Sequence, residues 1–287
     1  MTTQHESAPS APPGLLFHDD FSQGLRHEGP EARWQLRAVE DMPGGDGVIQ
    51  TSDEGLVVLP TGRNEITGEP AFARPEDPEA ATEFLRWAAF VDRTTDDGGF
   101  GFATRPGEVL TGTVEFAVRT YGTAAHPLGD AVKDHDADMR LGAGALICID
   151  RETGMVFDFV FTNTAVLALY ERLPRPDAQH ATFSYGVPVG TREPGRFHTC
   201  SVELDTAAGV VRWILDGREV LTVDKIGHRT LDSSHLIWQS EGEESIARPR
   251  QLNFGLSTFT GKVWGQGVRL AVRRLTVASA PTQRTSE

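Results

Sequence analysis

Cysteine is scarce in this 287-residue chain: Cys148 and Cys200 are the only two, too few for a disulfide framework. Each sits in an apolar, strand-like run. The opening stretch MTTQHESAPSAPPG has neither the basic nor the apolar region of a secretory signal. The expectation is two buried free thiols in a cytoplasmic protein. Lysine is scarcer still relative to arginine, with Lys133, Lys225 and Lys262 the only ones, a skew read as high-GC bacterial coding and not as chemistry. Basic charge as a whole is outweighed, 41 acidic against 27 basic residues for a net charge of -14. That balance argues against partners held through phosphates, whether nucleic acid or a membrane surface. No apolar run approaches the roughly 18 residues needed to span a bilayer.

Several chemistries lack their motifs. The nine histidines form neither a His-x-His pair nor an HExxH helix, and no glycine-rich phosphate loop or G-x-S-x-G elbow occurs. No cofactor or metal is therefore expected. Asp134, Asp136 and Asp138 alternate in a long loop as in the opening of a calcium loop. The sixth position is Met139 instead of glycine and the twelfth is Ala145 instead of glutamate, so a solvated acidic loop is the preferred reading over calcium. There is no fixed-period repeat and no long amphipathic helix.

What is present is alternation. In Met155–Thr162, Phe157, Phe159 and Phe161 fall on every second position, with Val156, Asp158, Val160 and Thr162 between them. A strand sends alternate side chains to opposite faces, so the three rings share one face. Burying them is worth roughly 1.5–3 kcal/mol each, which makes that face the core. Asp158 is left on the other face among valines. Glu108–Tyr121 alternates too, Val114, Phe116 and Val118 against Glu115, Arg119 and Tyr121. Asp216-Gly217, between the extended arms of 209–223, is the pair favoured in a tight primed hairpin turn. Residues 83–91 are ambiguous between a helical turn and a buried strand. About a dozen strands with short turns indicate an all-β sandwich or barrel. The expected organisation is one domain over residues 15–278 between disordered tails at 1–14 and 279–287.

Three stretches carry a resemblance. FHDDFSQG with Trp34, the hairpin VELDTAAGVVRWILDGREV, and the late strand VRLAVRRLTV together resemble the concanavalin A-like lectin/glucanase superfamily, in its laminarinase-type members. The resemblance implies a jelly-roll sandwich of two curved antiparallel sheets, with the last strand returning beside the first. Glycanases of that superfamily place two glutamates four apart on one strand, with an aspartate between them, to supply two carboxyls about 5 Å apart. Asp158 matches the middle aspartate, whereas Val156 and Val160 stand at the glutamate positions. A retaining glycosidase of that type is excluded on this alignment.

An apolar surrounding raises a carboxyl pKa, so Asp158 is a candidate general acid or base. Its bland alternative is a hydrogen bond to a neighbouring strand. Glu115 and Tyr121 are further catalytic candidates, with Arg119 as a substrate clamp, against a plain ion pair on a solvated face. Val156, Val160, Thr162 and Tyr170 are candidate lining, and Trp238 and Trp264 candidate rim aromatics. The leading functional expectation is a cofactor-independent biosynthetic enzyme that binds an apolar small molecule in the concave cleft and assists cyclisation, isomerisation or elimination. The alternatives are a carbohydrate-binding or carbohydrate-processing protein and a non-catalytic interaction module. Oligomeric state leaves no signature in the sequence.

Overall fold

The computed structural model describes residues 14–75, 84–176 and 179–282. The predicted tails therefore lie almost wholly outside the described residues. In chain order the strands are β1 (Leu15–Asp19), β2 (Trp34–Leu36), β3 (Val48–Ser52), β4 (Gly55–Leu59), β5 (Gly62–Arg63) and β6 (Pro70–Ala71). Then come β7 (Leu85–Val91), β8 (Phe102–Ala103), β9 (Glu108–Tyr121), β10 (Ala143–Asp150), β11 (Met155–Phe161), β12 (Ala165–Arg172) and β13 (Phe183–Thr191). The chain ends with β14 (His198–Asp205), β15 (Val210–Leu215), β16 (Arg218–Val223), β17 (Leu236–Gln239), β18 (Gln251–Phe259) and β19 (Gly267–Pro281). β7 resolves the helix-or-strand ambiguity as strand, and β19 runs three residues past the predicted domain end. No helix among the described residues is long and apolar enough to cross a membrane.

Two large antiparallel sheets form the jelly-roll sandwich. The eight-stranded sheet runs β16, β15, β14, β9, β19, β4, β3, with β1 beside β19. The nine-stranded sheet runs β17, β13, β12, β11, β10, β18, β7, β2, with β8 beside β18. β19 does return beside β1, pairing Leu15 with Ala278. The opening motif is locked there: Trp34 Nε1 donates to Asp19 Oδ2 at 2.9 Å, and Asp19 Oδ1 accepts from the Phe21 N–H at 2.9 Å. At the β15–β16 turn both Asp216 and Gly217 have positive φ, 50° and 79°, as a primed hairpin turn requires.

Between the sheets lies the aromatic core. Phe157, Phe159 and Phe161 are fully buried, as expected from their spacing. Phe161 meets Phe116 of β9 with ring centroids 4.3 Å apart, and Phe157 stands edge-on to Trp213 of β15 at 6.0 Å. Cys148 and Cys200 are free and buried, and burial pushes both thiols well up, so neither is poised as a nucleophile. Arg192 is buried with no carboxylate in an ion pair among the described residues and donates to the carbonyls of Thr162, Asn163, Val118 and Arg196, tying the β11–β12 turn to β9. Burial pushes its pKa down to about 10.

Candidate functional site

Because the odd positions of β11 fill the core, Val156, Asp158 and Val160 face outward from the nine-stranded sheet. Asp158 lies opposite Leu169 of β12. Leu169 in turn pairs with Gly186 of β13, while on the other flank Ile147 of β10 pairs with Gly255 of β18. A Cβ on Gly255 would meet the Phe90 ring at 2.8 Å, and one on Gly186 would meet Ile237 Cδ1 at 3.0 Å. Phe90 and Ile237 thus lie over bare backbone at either end of this row. Asp158 sits between them among apolar side chains, 8% exposed.

Its Oδ1 accepts the Cys148 N–H at 2.8 Å, at the point where the β10–β11 register lapses between Leu146↔Phe159 and Ile149↔Val156. Its own backbone carbonyl accepts from Trp213 Nε1 at 3.1 Å. Burial pushes the Asp158 carboxyl well above the usual range, the Cys148 hydrogen bond offsets this only in part, and the charge of Glu171 adds to it.

Glu171, paired with Val156, projects from β12 onto the same outer face. It is a diagonal neighbour of Asp158, a placement that sets two residues roughly 7–8 Å apart. Glu171 Oε1 accepts from Ser184 Oγ at 2.5 Å, and burial raises its pKa against that bond. Ser184 pairs with Trp238 of β17, which is 39% exposed. The row therefore reads Val156, Glu171, Ser184, Trp238. Neither Asp158 nor Glu171 has an ion-pair partner among the described residues. Two adjacent carboxyls whose pKa values are both raised by burial can donate a proton to a ligand oxygen or share one between them.

The other predicted residues scatter. Glu115, Arg119 and Tyr121 do not reach this face: β9 belongs to the other sheet, and its odd positions point away from the core on the far side of the molecule. There Glu115 pairs with Arg273 at 2.8 Å and Arg274 at 2.9 Å, while Arg119 stands opposite Arg269. As candidates for one site with Asp158 these three are corrected on that ground, and for Glu115 the ion pair on an outer face is what the structure holds. Tyr170 faces inward, parallel to Phe157 with centroids 6.3 Å apart. Its hydroxyl donates toward the His228 carbonyl at 3.1 Å and accepts from the Gly227 N–H at 2.7 Å, and burial raises its pKa further from use. Thr162 closes the β11–β12 turn, its Oγ1 accepting from the Ala165 N–H at 3.0 Å.

Trp264 packs against the core under the Arg86 guanidinium, 5.0 Å from its ring centroid, so it is no open platform. Val156 and Val160 do line the face. The loop aspartates find protein donors: Asp136 accepts from Asn163 Nδ2 at 2.8 Å and Thr123 Oγ1 at 2.9 Å, and Asp138 is bonded to Arg140. Three surface cavities of about 90, 230 and 500 Å³ lie elsewhere, and Asp158 lines none of the three.

A model described as "Family of unknown function (DUF6081)" matches residues 18–281. "Uncharacterized protein L829" of Acanthamoeba polyphaga mimivirus is 27% identical, over 45% of this chain and 43% of that protein. The chain thus matches under half the length of that relative. Among solved structures, a Bacillus licheniformis beta-glucanase aligns over 93% of this chain and 99% of its own, at 9% identity and TM-score 0.47. The Crh5 transglycosylase in complex with NAG aligns over 93% and 87%, at 13% identity and TM-score 0.48. Alginate lyase A1-II', of polysaccharide lyase family 7, aligns over 82% and 84%, at 10% identity and TM-score 0.47.

Proposed function

We propose that this chain, which belongs to the DUF6081 family, is an acid–base enzyme that lays a saccharide-type ligand across the outer face of its nine-stranded sheet. Asp158 and Glu171 exchange protons with the ligand, and Trp238 is the stacking platform at the rim. The observation that carries this reading is the pair of adjacent, cation-free carboxyls on one outer face, both pushed toward the protonated form. A sugar ring offers a non-polar face to an aromatic ring and ether or hydroxyl oxygens to a proton donor. The pair spans two strands, unlike the single-strand glutamate pair that Val156 and Val160 replace.

A second reading keeps the carboxyls and changes the ligand. Ile147, Leu169 and Phe90 make the surroundings of Asp158 apolar, which favours an apolar small molecule undergoing cyclisation, isomerisation or elimination. One panel separates the two: oligosaccharides against polyketide- and terpenoid-like compounds, offered to the wild type and to Asp158→Asn. The saccharide reading expects turnover of an oligosaccharide that Asp158→Asn abolishes. Turnover confined to apolar compounds supports the second reading. Binding of no compound, or turnover indifferent to Asp158→Asn, overturns both.

A further inference from the structure

At the end of the sandwich where β11 begins and β12 stops, Thr153 of the turn before β11, the residues after β12 and the segment 243–248 line an open cavity of about 500 Å³. Its lining is basic in a chain whose net charge is -14: Arg172, Arg175, His180 and Arg248 face a single carboxylate, Glu243.

Arg172 anchors the floor at 6% exposure. Its Nη1 donates to the carbonyls of Gly227 at 3.1 Å and Ser245 at 2.8 Å, and its Nη2 to Ser245 Oγ at 3.2 Å. Its Nε is buried with no acceptor. An unpaired buried guanidinium N–H is costly, and a guanidinium is shaped to receive an oxyanion. No carboxylate pairs with Arg172, Arg175 or Arg248 among the described residues. Ile246, 61% exposed, borders both this cavity and the adjoining one of about 230 Å³ that Lys225 lines.

We propose that this cavity is a binding site for a small organic anion, a carboxylate or a phosphate monoester, whose oxyanion lies among Arg172, Arg175 and Arg248 while its non-polar part packs on Ile246. The site is separate from the Asp158 and Glu171 face and stands whether or not that face is catalytic. An acidic surface repels anions at long range, so selective uptake depends on this local cluster.

Calorimetric titration at low salt with glucuronate, inorganic phosphate and neutral glucose tests it. Arg172 also holds backbone carbonyls, so the informative variants are Arg175→Ala, Arg248→Ala and Glu243→Gln, whose wild-type side chains make no hydrogen bond or ion pair among the described residues. One anion is expected to bind and glucose not to. The double variant Arg175→Ala/Arg248→Ala should weaken binding about 10-fold or more, and Glu243→Gln should strengthen it. Whichever of glucuronate and phosphate binds more tightly identifies the source of the oxyanion. Absence of binding by both anions, affinity unchanged in the double variant, or equal binding of glucose overturns the proposal.

Discussion

The two outer faces of the sandwich follow the same strand alternation and treat charge in opposite ways. On the eight-stranded sheet, carboxylates meet cations: Glu115 with Arg273 and Arg274, Glu54 with Arg269, Glu219 with Arg212 at 3.6 Å. On the nine-stranded sheet, Asp158 and Glu171 meet Ile147, Leu169, the Cys148 N–H and the Ser184 hydroxyl, with no cation in an ion pair among the described residues. Exposed ion pairs contribute little to stability and nothing to chemistry. Asp158 is buried and Glu171 half-buried, and a carboxyl kept from water without a cation costs stability once ionised. That contrast is the ground on which the proposed acid–base chemistry is assigned to the nine-stranded sheet.

Four changes would break or sharpen that contrast. The largest effect is expected from Asp158→Asn, which keeps an acceptor for the Cys148 N–H and removes the proton. Turnover of a substrate found in the panel should fall roughly 10²–10⁴-fold with the fold intact by circular dichroism. Next, Trp238→Ala should weaken ligand binding by about 10-fold without lowering Tm, because this edge-strand ring is exposed.

Stability against pH separates the faces by sign. Asp158 has a folded pKa raised chiefly by burial, so its contribution is full below the ordinary carboxylate range and is lost as pH rises through the raised value. Asp216, on the hairpin of the other sheet, is raised by burial but lowered further by its hydrogen bonds from His198 and the Thr199 N–H, and ends below its usual value. Its contribution is present above the unfolded value and lost as pH falls through the folded one. In urea melts between about pH 2.5 and 8, stability of wild type relative to Asp158→Asn should fall with pH. Relative to Asp216→Asn it should rise across the acidic end. Matching slopes would erase the contrast. Smallest of all, Glu115→Gln should cost at most about 1 kcal/mol and leave turnover unchanged.

The sequence revealed this face in part, and the reasons are specific. Phe157, Phe159 and Phe161 fixed the orientation of β11 because three aromatic rings in alternation have one burial solution. Tyr170 was chosen over its neighbour Glu171 because AVLALYER is apolar at both parities, so the period of β12 cannot be read from β12 alone. The signal lay in the turn: Phe161 pairs with Val166 across residues 162–165, and counting back from there sets Glu171 opposite Val156, on the side of Asp158. Glu115 shows the complementary limit. Alternation tells inward from outward, but not which of two sheets a strand joins, and that is decided by β9 lying between β14 and β19. Trp264 was misjudged because a loop tryptophan and a buried arginine 178 positions away leave no local trace of their stacking.

The most direct test is a carboxyl-carbon NMR titration of the wild type beside Asp158→Asn and Glu171→Gln. The account predicts two carboxyl resonances that titrate above the ordinary range, roughly pH 3.9–4.3, one of them absent from each variant, with the survivor moving down as its neighbour's charge is removed. Two carboxyls titrating within the ordinary range, or shifted resonances that persist in both variants, would contradict it.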